Sequence, residues 1–218
     1  METYQFFKVF KGIEIEQEKE FKLLDQKTLH RFLHLGDYVR GAHLPINDPG
    51  FQFSWGENGK WSANMVIFGN PLPLFELTTY IFLDSQGVKF SPANLDRLIR
   101  HNQIYCLKFL LKLGVLPTEE QYNAVLDASD QGFREMIKIL LEVDWSFPFI
   151  NVLYNCVYRK HRSIMKLVLR KANGLIDERQ IYNVAQTAFG ENDEKSLKIL
   201  LFYLSDNSPE YQKLFQKK

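Results

Sequence analysis

His30 and His34 stand four residues apart, with Asp37 and His43 close behind. On a helix, two histidines at i and i+4 face the same way and can share a metal ion. The glutamate of a His-Glu-x-x-His motif is absent, and Arg31 follows His30, where its charge would repel a cation. The expected outcome is a pair of histidines on an amphipathic face and no metal site. Cys156 precedes His161 by five residues, an offset that a helix does not bring together, and a helix break is expected between them. Neither Cys106 nor Cys156 has neighbours in the sequence that would lower its pKa, and both sit in apolar helical patterns, as buried reduced thiols do. There is no Gly-x-Ser-x-Gly and no phosphate-binding Gly-rich loop. The chain therefore offers no catalytic, metal-ligating or cofactor-binding set, and no cofactor is expected.

Charge is more informative than nucleophiles. The 218-residue chain is nearly neutral, with 27 Lys and Arg against 26 Asp and Glu. Yet no acid occurs from Trp145 to Ile176, a stretch that holds Arg159, Lys160, Arg162, Lys166, Arg170 and Lys171 beside His161. On a helix, Arg162, Lys166 and Arg170 form one stripe. Such a stripe is either a solvated face or the site of an acidic partner, a protein or an anionic lipid headgroup. A chain this close to neutrality is not a nucleic-acid binder by composition. The acidic stretch Glu14–Glu20 is expected to balance this patch within the molecule.

Aromatic residues form a third group. Tyr122-Asn123, Tyr154-Asn155 and Tyr182-Asn183 recur at spacings of 32 and 28. Each Tyr either fills a groove between helices or contacts a partner, for which its large area and low entropy cost suit it. Trp55 and Trp61 flank Asn58-Gly59, a strong hairpin signal because both turn residues need positive φ. They are expected near each other across two strands, as packing or as an exposed contact pair.

The elements that position these residues follow from a repeat. Leu107–Leu111, Ile137–Leu141, Met165–Leu169 and Leu197–Leu201 share one pattern, with Lys108, Lys138, Lys166 and Lys198 separated by 30, 28 and 32 residues. Apolar positions at i, i+3 and i+4 define one helix face, and the lysine points away from it. A period near 30 indicates helix–turn–helix units that bury their apolar faces on one another. Ser91-Pro92, Thr118 with Gln121, and Asp177 with Gln180 mark helix starts, and Gly114 and Gly174 mark helix ends. Helix pairs are expected at 92–101 with 104–113, 118–129 with 132–142, 149–158 with 162–171, and 178–189 with 194–204.

Residues 1–70 lack the repeat. Glu16–Leu24 and Asp25–Leu35 read as short helices, His43–Gly50 as a loop, Phe51–Trp55 and Lys60–Phe68 as the arms of a hairpin, and Met1–Ile15 as a further strand. The expected fold is mainly α: a short α-solenoid of four or five helix–turn–helix repeats over 71–205, closed by a small N-terminal α+β cap over 1–70 that contains a β-hairpin, with a polar tail over 206–218.

The run Leu107-Lys108-Phe109-Leu110-Leu111-Lys112-Leu113-Gly114-Val115 resembles the second helix and following turn of an ankyrin repeat, and Tyr80–Val88 echoes it. The Thr-Pro-Leu-His opening of that family is absent, and the links after the second helices are short and apolar, so no full β-finger is expected. The resemblance, over about 90–205, implies a monomeric, non-catalytic protein–protein interaction module. Irregular repeats in a small chain rich in Lys, Asn and Phe also resemble secreted bacterial effectors, which implies action on a host protein after export without a cleaved signal peptide. On that reading Arg159, Lys160, Arg162, Lys166, Arg170, Tyr122, Tyr154, Tyr182, Trp55 and Trp61 are the candidate partner-binding residues. Two alternatives are an enzyme with its site in the N-terminal region or at the cap–solenoid crevice, using His30, His34, Asp37, His43, Trp55 and Trp61, and an adaptor that binds anionic lipid through the Arg162–Arg170 stripe.

Composition bounds all three. With 45% hydrophobic residues the chain is not disordered, 12 Gly and 8 Pro exclude a collagen-like repeat, and two Cys exclude a disulfide scaffold. No apolar run is long enough to span a bilayer, and Met1–Lys11 lacks a signal-peptide layout, so a reducing cytoplasm is the expected compartment.

Overall fold

The computed structural model describes residues 5–12, 20–56, 60–172 and 174–204. The chain divides into two compact units, Met1–Leu98 with Tyr105–Val115 and Ile99–Ile104 with Leu116–Lys218.

The first unit is built on an antiparallel sheet. Its strands are β1 (Phe6–Phe10), β2 (Phe21–Asp25), β3 (Tyr38–His43), β4 (Phe53–Trp55), β5 (Lys60–Ala63), β6 (Ile67–Phe68) and β7 (Leu72–Pro73), in the order β4-β5-β2-β1-β3-β6 with β7 also paired to β3. Successive side chains alternate between faces. Phe7, Leu24 and Val39 therefore share one buried core with Leu29, Leu33, Leu74, Leu83 and Val88. Leu23, Ala42 and Ala63 lie in a second core under Phe6, Phe21, Phe51, Phe53, Trp61 and Phe68. Lys8 and Arg40 stand directly opposite each other on β1 and β3, and both are nearly buried. Like charges in that position repel. Aromatic faces offset the repulsion: the Arg40 guanidinium lies 3.7 Å from the Phe68 ring centre, and Lys8 Nζ lies 5.6 Å from that of Phe21.

Two expectations fail here. Phe21–Asp25 is a strand and not part of a helix, because Leu23 and Leu24 are buried on opposite faces of the sheet, which only an extended chain permits. Asp25–Leu35 is not one helix but two 3-10 turns, Leu29–Arg31 and Leu33–Leu35, broken at Phe32. Asp25 starts the first of them: its Oδ1 accepts from the Thr28 amide and the Thr28 hydroxyl, both at 2.8 Å. The sheet also exceeds the expected hairpin, since β3 pairs with β1 on one side and with β6 and β7 on the other. Residues 1–4, most of Glu14–Glu20, the Asn58-Gly59 turn and the 206–218 tail lie outside the described residues.

Helices follow, at α1 (Leu77–Ser85), α2 (Ala93–Arg100), α3 (Ile104–Lys112), α4 (Tyr122–Asp130), α5 (Arg134–Glu142), α6 (Phe149–Tyr158), α7 (Arg162–Lys171), α8 (Glu178–Gly190) and α9 (Glu194–Leu201). They fall where the sequence period puts them. In the second unit α4 packs on α5, α6 on α7 and α8 on α9; α6 also packs on α4 and α8, and α7 on α5. Ile137, Leu140, Met165, Val168 and Leu200 are buried, whereas Lys138, Lys166 and Lys198 are exposed. Asp177 and Gln180 cap α8 reciprocally: Asp177 Oδ1 accepts from the Gln180 amide, and the Asp177 amide donates to Gln180 Oε1.

The turn inside each hairpin carries one left-handed residue: Asn102 (φ 54°), Gly132 (76°), Lys160 (59°) and Asn192 (53°). These positions repeat the 30, 28 and 32 spacing of the lysines. The chain reverses there because the amides of Phe133, His161 and Asp193 each donate, at 2.9 Å, to a carbonyl five residues back. Among the described residues no helix is long and apolar enough to cross a membrane.

Candidate functional site

The N-terminal candidates do not assemble into one centre. His30 lies on the first 3-10 turn and His34 on the second, with Phe32 (φ −120°) interrupting the helical geometry that an i, i+4 pair requires. The His30 carbonyl accepts from Asn94 Nδ2 at 2.8 Å, which ties that turn to α2. Asp37 is held by Arg97 and by the Gly12 amide, and both keep its carboxyl below the usual range. His43 is exposed at the end of β3. Trp55 and Trp61 are cross-strand partners with edge-to-face rings 4.6 Å apart; Trp61 also stacks on Phe53 and points its Nε1 at Asp25 Oδ2, 3.3 Å away. Trp55 is 58% exposed. A cavity of about 340 Å³ in this unit is lined by Lys8, Lys11, Lys22 and Lys60 with apolar neighbours, and by none of these six residues.

The basic run is partly consumed by the fold. Arg159 Nε donates to Asp130 Oδ1, 29 residues back, at 2.5 Å. Arg162 donates to Asp193 Oδ1, 31 residues on, at 2.7 Å. His161 Nε2 lies 2.9 Å from the Asp130 carbonyl oxygen. Each contact links the turn of one hairpin to the turn of the next. Asp193 is 5% exposed. Burial opposes its ionisation, but hydrogen bonds from the Ser196 hydroxyl, Arg162 and the Ser196 amide prevail and hold it down at about 2. Lys160 occupies the left-handed turn position.

Lys166 and Arg170 are different. Both are exposed, and with Lys198, Ile199, Phe202 and Tyr203 they line a groove of about 340 Å³ on α7 and the end of α9. Four of its six lining residues lie outside the sequence-derived candidates, and three of them, Ile199, Phe202 and Tyr203, carry no chemical motif. Lys198 was visible only as a member of the lysine column.

The three candidate tyrosines, Tyr122, Tyr154 and Tyr182, are half-buried. Tyr122 packs 5.9 Å from the Trp145 ring centre, and the Tyr182 hydroxyl accepts from Gln186 Nε2 at 2.8 Å. Asn155 donates to the Leu126 carbonyl and to Ser129 Oγ, both 3.1 Å away on α4. Asn123 and Asn183 are exposed. The two thiols are buried, and burial pushes Cys106 up to about 11 and Cys156 to about 12.

Sequence comparison matches about 35–41% of the chain to proteins named for ankyrin repeats from Acanthamoeba polyphaga mimivirus. R229 is 37% identical over 81 residues, covering 35% of this chain and 26% of that protein. R868 is 30% identical over 91 residues, covering 36% and 45%, and R896 is 30% identical over 96 residues, covering 41% and 28%. The repeats are ankyrin-like. The chain spans between about a quarter and just under half the length of these relatives. No family model and no solved structure matches it.

Proposed function

We propose that the chain is a non-catalytic protein–protein interaction module, with its helical hairpins stacked in succession as a short solenoid. The observation that carries this reading is the recurrence of one turn geometry, at Asn102, Gly132, Lys160 and Asn192, at the same spacing as the exposed lysines. Repeats of this kind present an extended surface made of many equivalent positions, which suits recognition of another chain. The likeness to mimivirus ankyrin-repeat proteins supports the same reading. It lends nothing to a bacterial origin, to secretion or to delivery into a host cell, and the proposal does not include them.

The test is affinity capture from a eukaryotic lysate, read by mass spectrometry, with the wild-type chain and with a His30→Ala/His34→Ala variant. The proposal expects the same small set of proteins with both. Recovery of no protein above a heat-denatured control contradicts it. So does a small-molecule conversion by the purified chain that the double variant lacks at an unchanged melting temperature.

A further inference from the structure

We propose that the groove formed by Lys166, Arg170, Lys198, Ile199, Phe202 and Tyr203 docks an acidic segment of a protein partner that carries aromatic side chains. This inference rests on the interaction-module reading and names where, and for what chemistry, that module works.

Selection among the cations is the first argument. Of the basic residues between Trp145 and Ile176, Arg159 and Arg162 are spent on Asp130 and Asp193. Lys166 and Arg170, one helical turn apart on α7, have no ion pair among the described residues, and neither has Lys198 on α9. All three are exposed and converge on one concavity without an acid in its lining. Lys138, at the same column position one hairpin earlier, lies 3.8 Å from Glu135. Within the lysine column of the second unit, the unopposed charge is thus on α7 and α9.

Exposed aromatic surface is the second argument. Phe202 is 83% exposed at the end of α9, and its ring meets Tyr203 edge to face at 5.5 Å. An aromatic ring left in water beside three cations offers a docking peptide both an apolar anchor and charge-assisted hydrogen bonds. The groove lies between the second helices of the last two hairpins, and a concavity favours an inserted side chain over the flat contact that a lipid surface makes. The C-terminal segment 205–218, which follows α9 directly, complements it poorly by composition: Asp206 and Glu210 are outnumbered by Lys213, Lys217 and Lys218.

The probe is a fluorescent random copolymer of glutamate and tyrosine, titrated into the full chain by anisotropy at about 0.1 M and 0.5 M salt. The expected result is saturable binding that weakens with salt, falls at least about tenfold in Lys166→Glu/Arg170→Glu/Lys198→Glu, and falls several-fold in Phe202→Ala. A control variant, Lys89→Glu/Lys108→Glu/Lys112→Glu, makes the same change in net charge on other exposed residues and should keep wild-type affinity. Equal loss in the control, indifference to Phe202→Ala, or no binding overturns the proposal. Binding to phosphatidylserine vesicles in place of the copolymer overturns it in favour of a lipid surface. Partner capture that persists in the groove triple variant refutes this site while leaving the interaction module standing.

Discussion

The imidazole of His161 lies against Gly132, 29 residues earlier, so closely that a Cβ built on the glycine would sit 2.9 Å from His161 Cε1. The same ring reaches the Asp130 carbonyl through Nε2. Gly132 also has φ of 76°, a value that costs an L side chain. Two demands therefore coincide at one residue: the turn must be left-handed, and the next turn must dock on it.

Gly132→Ala is expected to destabilise the chain more than Gly114→Ala or Gly174→Ala. All three share the left-handed penalty of about 1–2 kcal/mol. At Gly114 and Gly174 an added Cβ meets nothing within 4 Å, so only Gly132→Ala must also displace His161 and its hydrogen bond. Urea midpoints of the three variants decide it. Equal losses would show that the His161 contact contributes nothing.

Lys160 presents the opposite case. It holds φ of 59° with a long side chain, where its counterpart in the preceding hairpin is Gly132. Lys160→Gly should raise stability by about 1 kcal/mol, less the added entropy of the unfolded chain. A fall in the thermal midpoint would mean that the lysine side chain makes a compensating interaction.

Asp193 gives the pH dependence a definite sign. Its folded pKa of about 2 lies below the ordinary 3.8, so the ionised form stabilises the fold. That contribution, about 2 kcal/mol, is complete above pH 4 or so and disappears as pH falls toward about 2. Asp193→Asn should be less stable at neutral pH and should lose less stability than wild type across this acid range. Parallel acid profiles, measured by urea unfolding, would contradict the assignment.

Buried thiols should be inert. With Cys106 raised to about 11 and Cys156 to about 12, neither is a thiolate near neutrality. Ellman's reagent at about pH 8 should titrate almost none in the native chain and both after unfolding. Rapid reaction of one thiol in the native state would place it in a different environment.

How far the sequence reaches is seen in the contrast between α7 and β2. The α7 pattern, Ile164-Met165 and Val168-Leu169 with Lys166 outside, is set by local periodicity, and the helix appears where expected. In Phe21–Asp25 only the adjacent Leu23 and Leu24 are buried, on opposite faces of the sheet, and a lone Leu-Leu pair is a pattern that periodicity cannot separate from a helix. Its identity depends on β1 and β5, which are distant in sequence. The same holds for the basic run. Charge spacing showed the cluster, but only the fold shows that Asp130 and Asp193 remove Arg159 and Arg162 from it. Phe202 was silent because an exposed aromatic has no signature in one sequence.

The most direct test of the interaction-module reading mixes the purified chain with its captured partner, once at equal concentration and once with the chain at about one-hundredth of the partner's. Analytical ultracentrifugation gives the stoichiometry and intact mass spectrometry gives the partner's covalent state. A stable complex of fixed stoichiometry, with the partner's mass unchanged at both ratios, is the predicted result. A partner altered in mass by the substoichiometric chain, with no lasting complex, would contradict the account.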